Sequence, residues 1–183
     1  MADWDEDARG RLRAAVHRRD ARRGLDVLAG RPLGPVLQYA GDVLIAALEG
    51  ALTGADRLAR TCVEELTGRD GPGDAELAAE LAAALDGTAT PLADAPVDLA
   101  ALGPRLDADP SEGVHVVDLR TGDIDSEIDG GPPPFDTADD PGRWLTFVPG
   151  GPGPGGPGEE AQRGRARSWL AAHGYRPGPR PFL

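Results

Sequence analysis

The chain is short of the residues on which several kinds of chemistry depend. Its 183 residues include one cysteine, Cys62. A single thiol excludes an internal disulfide framework and a cysteine-rich zinc site, and it suits a reducing, cytoplasmic setting. Lysine is absent, all 19 basic residues being arginine. Schiff-base catalysis and the lysine of a phosphate-binding loop are therefore excluded. Arginine-only usage beside abundant alanine, glycine and proline fits the codon bias of a GC-rich bacterial genome. Aromatic residues make up only 4% of the chain. No long apolar run occurs either: the most apolar stretch, 35–52, carries Gln38, Asp42 and Glu49. It falls short of the roughly 20 predominantly apolar residues of a membrane helix and reads as a buried helix of a soluble protein. The opening MADWDEDARG is acidic, where a secretory signal has a basic start and an apolar centre.

Glycine and acid are what the chain has in plenty. Its 26 glycines and 18 prolines come to about 24% of the residues, just under the roughly 25–30% typical of low-complexity disorder. Folded parts joined by loose stretches are expected. Net charge is −12 and unevenly placed. It is about +1 over residues 1–29, −8 over 30–103, −10 over 104–160 and +5 over 161–183. Such a field disfavours nonspecific contact with nucleic acid or an anionic membrane.

Residues 1–86 read as a helical domain. Trp4, Ala8, Leu12, Ala15 and Val16 share one face of a first helix, Leu25 and Leu28 mark a second, and a third starts near Pro35. The third presents Leu37, Ala40, Val43, Leu44, Ala47, Leu48 and Ala51, a surface wide enough for a central helix. Thr53 and Asp56 form a weak capping box before the stripe Ala55, Leu58, Ala59, Cys62 and Leu66. Cys62 is thereby placed in the core. Asp74 is the expected N-cap of a fifth helix, with Leu77, Leu81 and Leu85 inside and Glu76 and Glu80 outside. GDVLIAALEGAL from Gly41 and GDAELAAELAAAL from Gly73 echo each other at an offset of 32 residues. A stacked helical repeat or, preferably, an ordinary helical bundle accounts for that echo.

Residues 87–96 read as a linker, and residues 97–183 as a small α+β domain. Val97 to Leu106 suits a short helix. Val114 to Leu119 and Ile124 to Ile128 flank Arg120-Thr121-Gly122-Asp123 as a β-hairpin, and Trp144 to Val148 is the best strand by propensity. Residues 149–158, all glycine and proline, are expected to be a flexible tether before a last helix that begins near Glu159 and ends at Gly174.

Candidate chemistry is sparse. Read from Asp125, the segment DSEIDGGPPPFD sets Asp125, Glu127, Asp129 and Asp136 at positions 1, 3, 5 and 12 of a calcium-type loop, with Gly130 at 6. Its last ligand is aspartate in place of glutamate, three prolines fill positions 8–10, and flanking helices are not expected. A solvated acidic loop keeping a hairpin edge soluble is the simpler reading. His17, His115 and His173 lack a second ligand at metal-site spacing. Ser111, Ser126 and Ser168 lack a nucleophile-elbow motif. Two arginine clusters offer themselves to nucleic acid: Arg9, Arg11, Arg13, Arg18, Arg19, Arg22 and Arg23, and Arg163, Arg165, Arg167, Arg176 and Arg180. Each also neighbours acidic sequence able to neutralise it.

Several stretches in order resemble the uncharacterised bacterial protein family 0158, in the form that carries an N-terminal helical extension. They are Val97-Asp98-Leu99, the run from Val117 to Asp123 (VDLRTGD), Arg143-Trp144-Leu145, and Arg163 to Pro177 (RGRARSWLAAHGYRP). The resemblance extends to the helical half and implies no activity and no catalytic residues. Relatives carry a helical insert with a basic-aromatic run between the tryptophan strand and the last helix; here the glycine-proline stretch stands in its place.

The fold expected is therefore α+β: an N-terminal helical bundle, then a β-hairpin plus one strand and a C-terminal helix. The function expected is that of a non-enzymatic cytoplasmic interaction module with an unidentified protein partner, no cofactor and no membrane contact. Asp118, Arg120 and Trp144 are its interaction candidates. A divalent-metal enzyme using the acidic loop 123–140 and a nucleic-acid binder using the arginine clusters are the alternatives.

Overall fold

The computed structural model describes residues 3–126 and 142–179. The chain divides into two compact units, Met1–Thr90 and Pro91–Leu183, each with its own apolar core. The fold class is α+β, with a helical N-terminal region and short strands confined to the second unit.

In the first unit the helical periodicity becomes α1 (Glu6–His17), α2 (Ala21–Leu28), α3 (Leu37–Glu49), α4 (Ala55–Arg69) and α5 (Asp74–Asp86). Asp5 and Asp20 cap α1 and α2 by accepting from the amides of Ala8 and Arg23. Helix α3 is central and packs against the other four. Leu37, Ala40, Val43, Leu44 and Ala47 of its apolar face are buried, as is Cys62. Two glycines let α3 approach its neighbours. A Cβ on Gly41 would stand 2.5 Å from Leu77 Cδ2, and one on Gly24 2.5 Å from Val43 Cγ1. Gly41 lies inside α3 while Gly73 precedes α5. The two glycine-aspartate echoes thus occupy different places in their helices, and a structural repeat does not follow from them.

Three local expectations are corrected. Helix α4 starts from Gly54 in a left-handed conformation with no side-chain cap, so Thr53 and Asp56 form no capping box. Gly73 occupies the N-cap of α5, and Asp74 is its first helical residue. The Asp74 carboxylate turns inward, 1% exposed. It accepts from Gln38 Nε2 (3.0 Å), Gly71 N (2.8 Å), Arg69 Nε (2.7 Å) and Arg69 Nη2 (2.6 Å), tying α5 to α3 and to the end of α4. Glu80 is buried rather than outside, because α5 packs against both α3 and α4 and so buries more than its leucine stripe.

The second unit contains β1 (Ala93–Ala95), α6 (Leu99–Leu106), β2 (His115–Asp118), β3 (Ile124–Ser126), β4 (Trp144–Phe147), α7 (Glu159–Ala172) and β5 (Tyr175–Pro177). Strands β2, β3 and β4 form an antiparallel sheet of order β3-β2-β4, so the hairpin and the tryptophan strand stand as expected. Helices α6 and α7 pack together closely enough that a Cβ on Gly103 would lie 2.6 Å from Gln162 O. With the sheet they enclose Leu99, Leu102, Val117, Phe147, Ala166 and Leu170.

The two stretches expected to be loose are both tied down. Within residues 87–96, β1 pairs in parallel with β5, and Ala93 N and Gly178 N donate to Gly174 O and Ala95 O. In the segment 149–158, Gly150 N and Gly151 N donate to Leu106 O and Ala108 O. Arg165, whose guanidinium holds the Asp107 carboxylate, also donates to Pro154 O and Gly156 O. Backbone carbonyls around a partly buried guanidinium tie down this glycine-proline stretch.

Candidate interaction site on the three-stranded sheet

The sheet brings Asp118, Arg120 and Trp144 to one end. Asp118 closes β2 and stands opposite Trp144 in the β2–β4 register. Its carboxylate accepts from Arg120 N (2.8 Å) and from Arg143 through Nε (3.1 Å) and Nη2 (2.5 Å). Around it the turn is closed by Gly122 N donating to Asp118 O (2.7 Å) and Asp118 N to Asp123 O (2.9 Å). The Thr121 hydroxyl donates to the Asp123 carboxylate (2.8 Å). Asp118 is the acceptor that joins the hairpin turn to the incoming β4. Burial works to raise its carboxyl pKa, but the hydrogen bonds from Arg143 and the turn amides, with the Arg143 charge, hold it below the usual carboxylate range.

Arg143 is the residue that sequence reasoning passed over. Its guanidinium pairs with Asp118 and lies 4.4 Å from the centre of the Trp144 ring. Trp144 is partly exposed and Arg120 exposed. Among the described residues strand β4 lies at an edge of the sheet, and the next residue, Val148, is 60% exposed. Arg143 was visible in the sequence beside Trp144, but its partner stands 25 residues away.

At the opposite end of β2, His115 is fully buried and stacks on Phe147, with ring centres 5.2 Å apart at 14°. Phe147 meets Trp169 edge-on, and Trp169 meets His173 at 4.4 Å. Neither His115 nitrogen has a hydrogen-bond partner among the described residues; Glu112 Oε2 is 3.9 Å from Nε2. Burial first, then the charge of Arg105, pulls the imidazole pKa down, against the pull of Glu112. The fold therefore favours neutral His115, whereas the unfolded chain takes up its proton near about pH 6.5. The stability this confers is present above that pH and declines as pH falls below it. Protection factors of the β2 amides, which correct the exchange rates for their intrinsic pH dependence, should fall between about pH 7 and pH 5.5. His115→Phe should flatten that dependence, and an unchanged slope in the variant would assign it to other groups.

The remaining candidates are dispersed or engaged. Asp125 lies exposed on β3, and Glu127, Asp129 and Asp136 lie outside the described residues. Among the described residues no group of three or more His, Cys, Asp or Glu is placed to hold a metal ion. Of the C-terminal arginine cluster, Arg163 and Arg167 are buried, Arg165 grips Asp107, and Arg176 pairs with Asp94 at 2.6 Å. Arg180 lies outside the described residues. Internal neutralisation therefore accounts for Arg165 and Arg176, and burial removes Arg163 and Arg167 from any exposed basic face. No helix among the described residues is long and apolar enough to cross a membrane. Compared with known proteins, the chain matches no family model, no curated protein and no solved structure.

Proposed function

We propose that the chain is a non-enzymatic, cytoplasmic interaction module whose second unit binds an extended segment of a partner protein along β4. The observation that carries this reading is the edge position of β4 among the described residues, together with the side chains at its ends: Trp144 under the Arg143 guanidinium, and Val148 60% exposed. An edge strand presents backbone donors and acceptors to an added strand. Tryptophan and arginine are the residue types that most often dominate binding energy. In this reading Asp118 is a positioning residue that holds Arg143 over Trp144, and Arg120 sits on the rim. Membership of the uncharacterised family 0158 is part of the proposal, since its quoted stretches coincide with β2, the turn and β4.

Affinity capture from native cytoplasm with the intact chain, compared with Val148→Asp and Trp144→Ala, tests the reading. A partner recovered by the wild type should be weakened by Trp144→Ala by about 30-fold, the effect of losing an anchor worth ~2 kcal/mol. Val148→Asp places a charge on an exposed position and should also release the partner. Recovery of the chain alone, or equal recovery by all three, overturns the proposal.

A further inference from the structure

The turn between α1 and α2 carries arginines that the fold does not use. Four other arginines of the first unit are engaged. Arg11 pairs with Asp7 (3.2 Å), Arg13 with Glu6 (2.9 Å) and Arg69 with Asp74 (2.6 Å), and Arg31 donates to Val27 O (2.7 Å). Arg18, Arg19, Arg22 and Arg23 are all exposed. Among the described residues, none of their four guanidinium groups takes part in an ion pair or hydrogen bond. They crowd into six residues of a chain whose net charge is −12.

Their backbone is fixed. Arg18 N donates to Ala14 O, Arg19 N to Val16 O and Asp20 N to Ala15 O. The Asp20 carboxylate caps α2 through Arg23 N (3.0 Å), which leaves Asp26 as the exposed acid nearest in sequence. Arg19 sits at φ 53°, in the left-handed region where glycine is the usual residue. A long cationic side chain therefore stands where the backbone geometry favours none.

We infer that this corner is a second interaction surface, binding a short acidic segment of a partner protein through paired guanidinium–carboxylate contacts. Forked guanidinium donors match carboxylates in two-point geometry. A nucleic acid is the poorer fit. Trp4 and Tyr39, the aromatic residues of this unit, are buried and offer bases no stacking surface. The inference stands on the first unit alone and is independent of β4.

Fluorescence anisotropy of a labelled octaglutamate peptide, with oligothymidylate of similar length as the rival probe, tests it on the intact chain. Octaglutamate should bind at about 20 mM NaCl and weaken strongly by about 300 mM, where screening reaches contact distances. Arg22→Gln with Arg23→Gln, both exposed and leaving the Asp20 cap in place, should weaken binding severalfold. Adding Arg18→Gln and Arg19→Gly should bring the loss to about tenfold or more. No peptide binding at low salt, binding unchanged by the four substitutions, or tighter binding of oligothymidylate overturns the inference. Val148→Asp should leave octaglutamate binding intact, so failure here and failure at β4 are separable.

Discussion

Gly122→Ala is expected to disrupt the second unit while leaving the first folded. Gly122 lies in the β2–β3 turn at φ 79°, a conformation that costs an L-residue about 1–2 kcal/mol. The larger problem is space. A Cβ there would stand 1.9 Å from Pro96 O and 2.7 Å from Pro96 C, both backbone atoms. Since Pro96 follows β1, the clash would push the hairpin turn off the chain that leaves the parallel β1–β5 pair. Strain from overpacking adds about 1–3 kcal/mol, for a total of about 2–5 kcal/mol. Hydrogen exchange resolved by residue is the suitable measurement. Protection of β2 and β4 should collapse while α3 and α4 keep theirs, and wild-type protection throughout would refute the assigned contact.

Asp118→Ala is the second substitution with a large expected effect. It removes the acceptor shared by Arg143 and the Arg120 amide, leaving Arg143 partly buried without this carboxylate. Breaking a buried pair in this way costs about 3–5 kcal/mol, and the partial exposure of Arg143 lowers the expected loss to about 2–4 kcal/mol. Urea unfolding of the second unit should shift accordingly. The pH dependence has a definite sign. Because the folded-state pKa of Asp118 is lowered, its contribution is present above the ordinary carboxylate pKa of about 3.9 and is lost as pH falls below it through the folded value. Asp118→Ala should remove this part of the acid sensitivity, and an unaltered acid transition would show that other carboxylates govern it.

Helices and hairpin were legible because their signals are local. Leu37, Ala40, Val43 and Leu44 fall on one side of a helix by spacing alone, and only five residues separate β2 from β3. Strand β1 was not legible: Ala-Asp-Ala has little strand propensity, and what orders it is parallel pairing with β5, about 80 residues further on. The glycine-proline segment misled for a related reason. Composition reports how much conformational freedom a backbone has, but Arg165 and the end of α6 supply the partners that restrain it. Asp74 reads as the N-cap of α5 and Glu80 as an acid on its outer face, and only the contacts of α5 with α3 and α4 show both to be buried. Of the candidate site, Asp118, Arg120 and Trp144 were named from the sequence, whereas Arg143 emerged from its pairing across the sheet.

By itself the sequence determined the charge the chain carries, the faces of its helices and the order of its main elements, because these follow from composition and short-range periodicity. The tertiary structure decided which charges the fold consumes and which it leaves outside. Arg165 meets Asp107 across 58 residues and Arg143 meets Asp118 across 25, while Arg18, Arg19, Arg22 and Arg23 find no such acid among the described residues. Whether a guanidinium is structural or available depends on what long-range packing brings within about 4 Å of it, a distance that no local pattern of residues encodes.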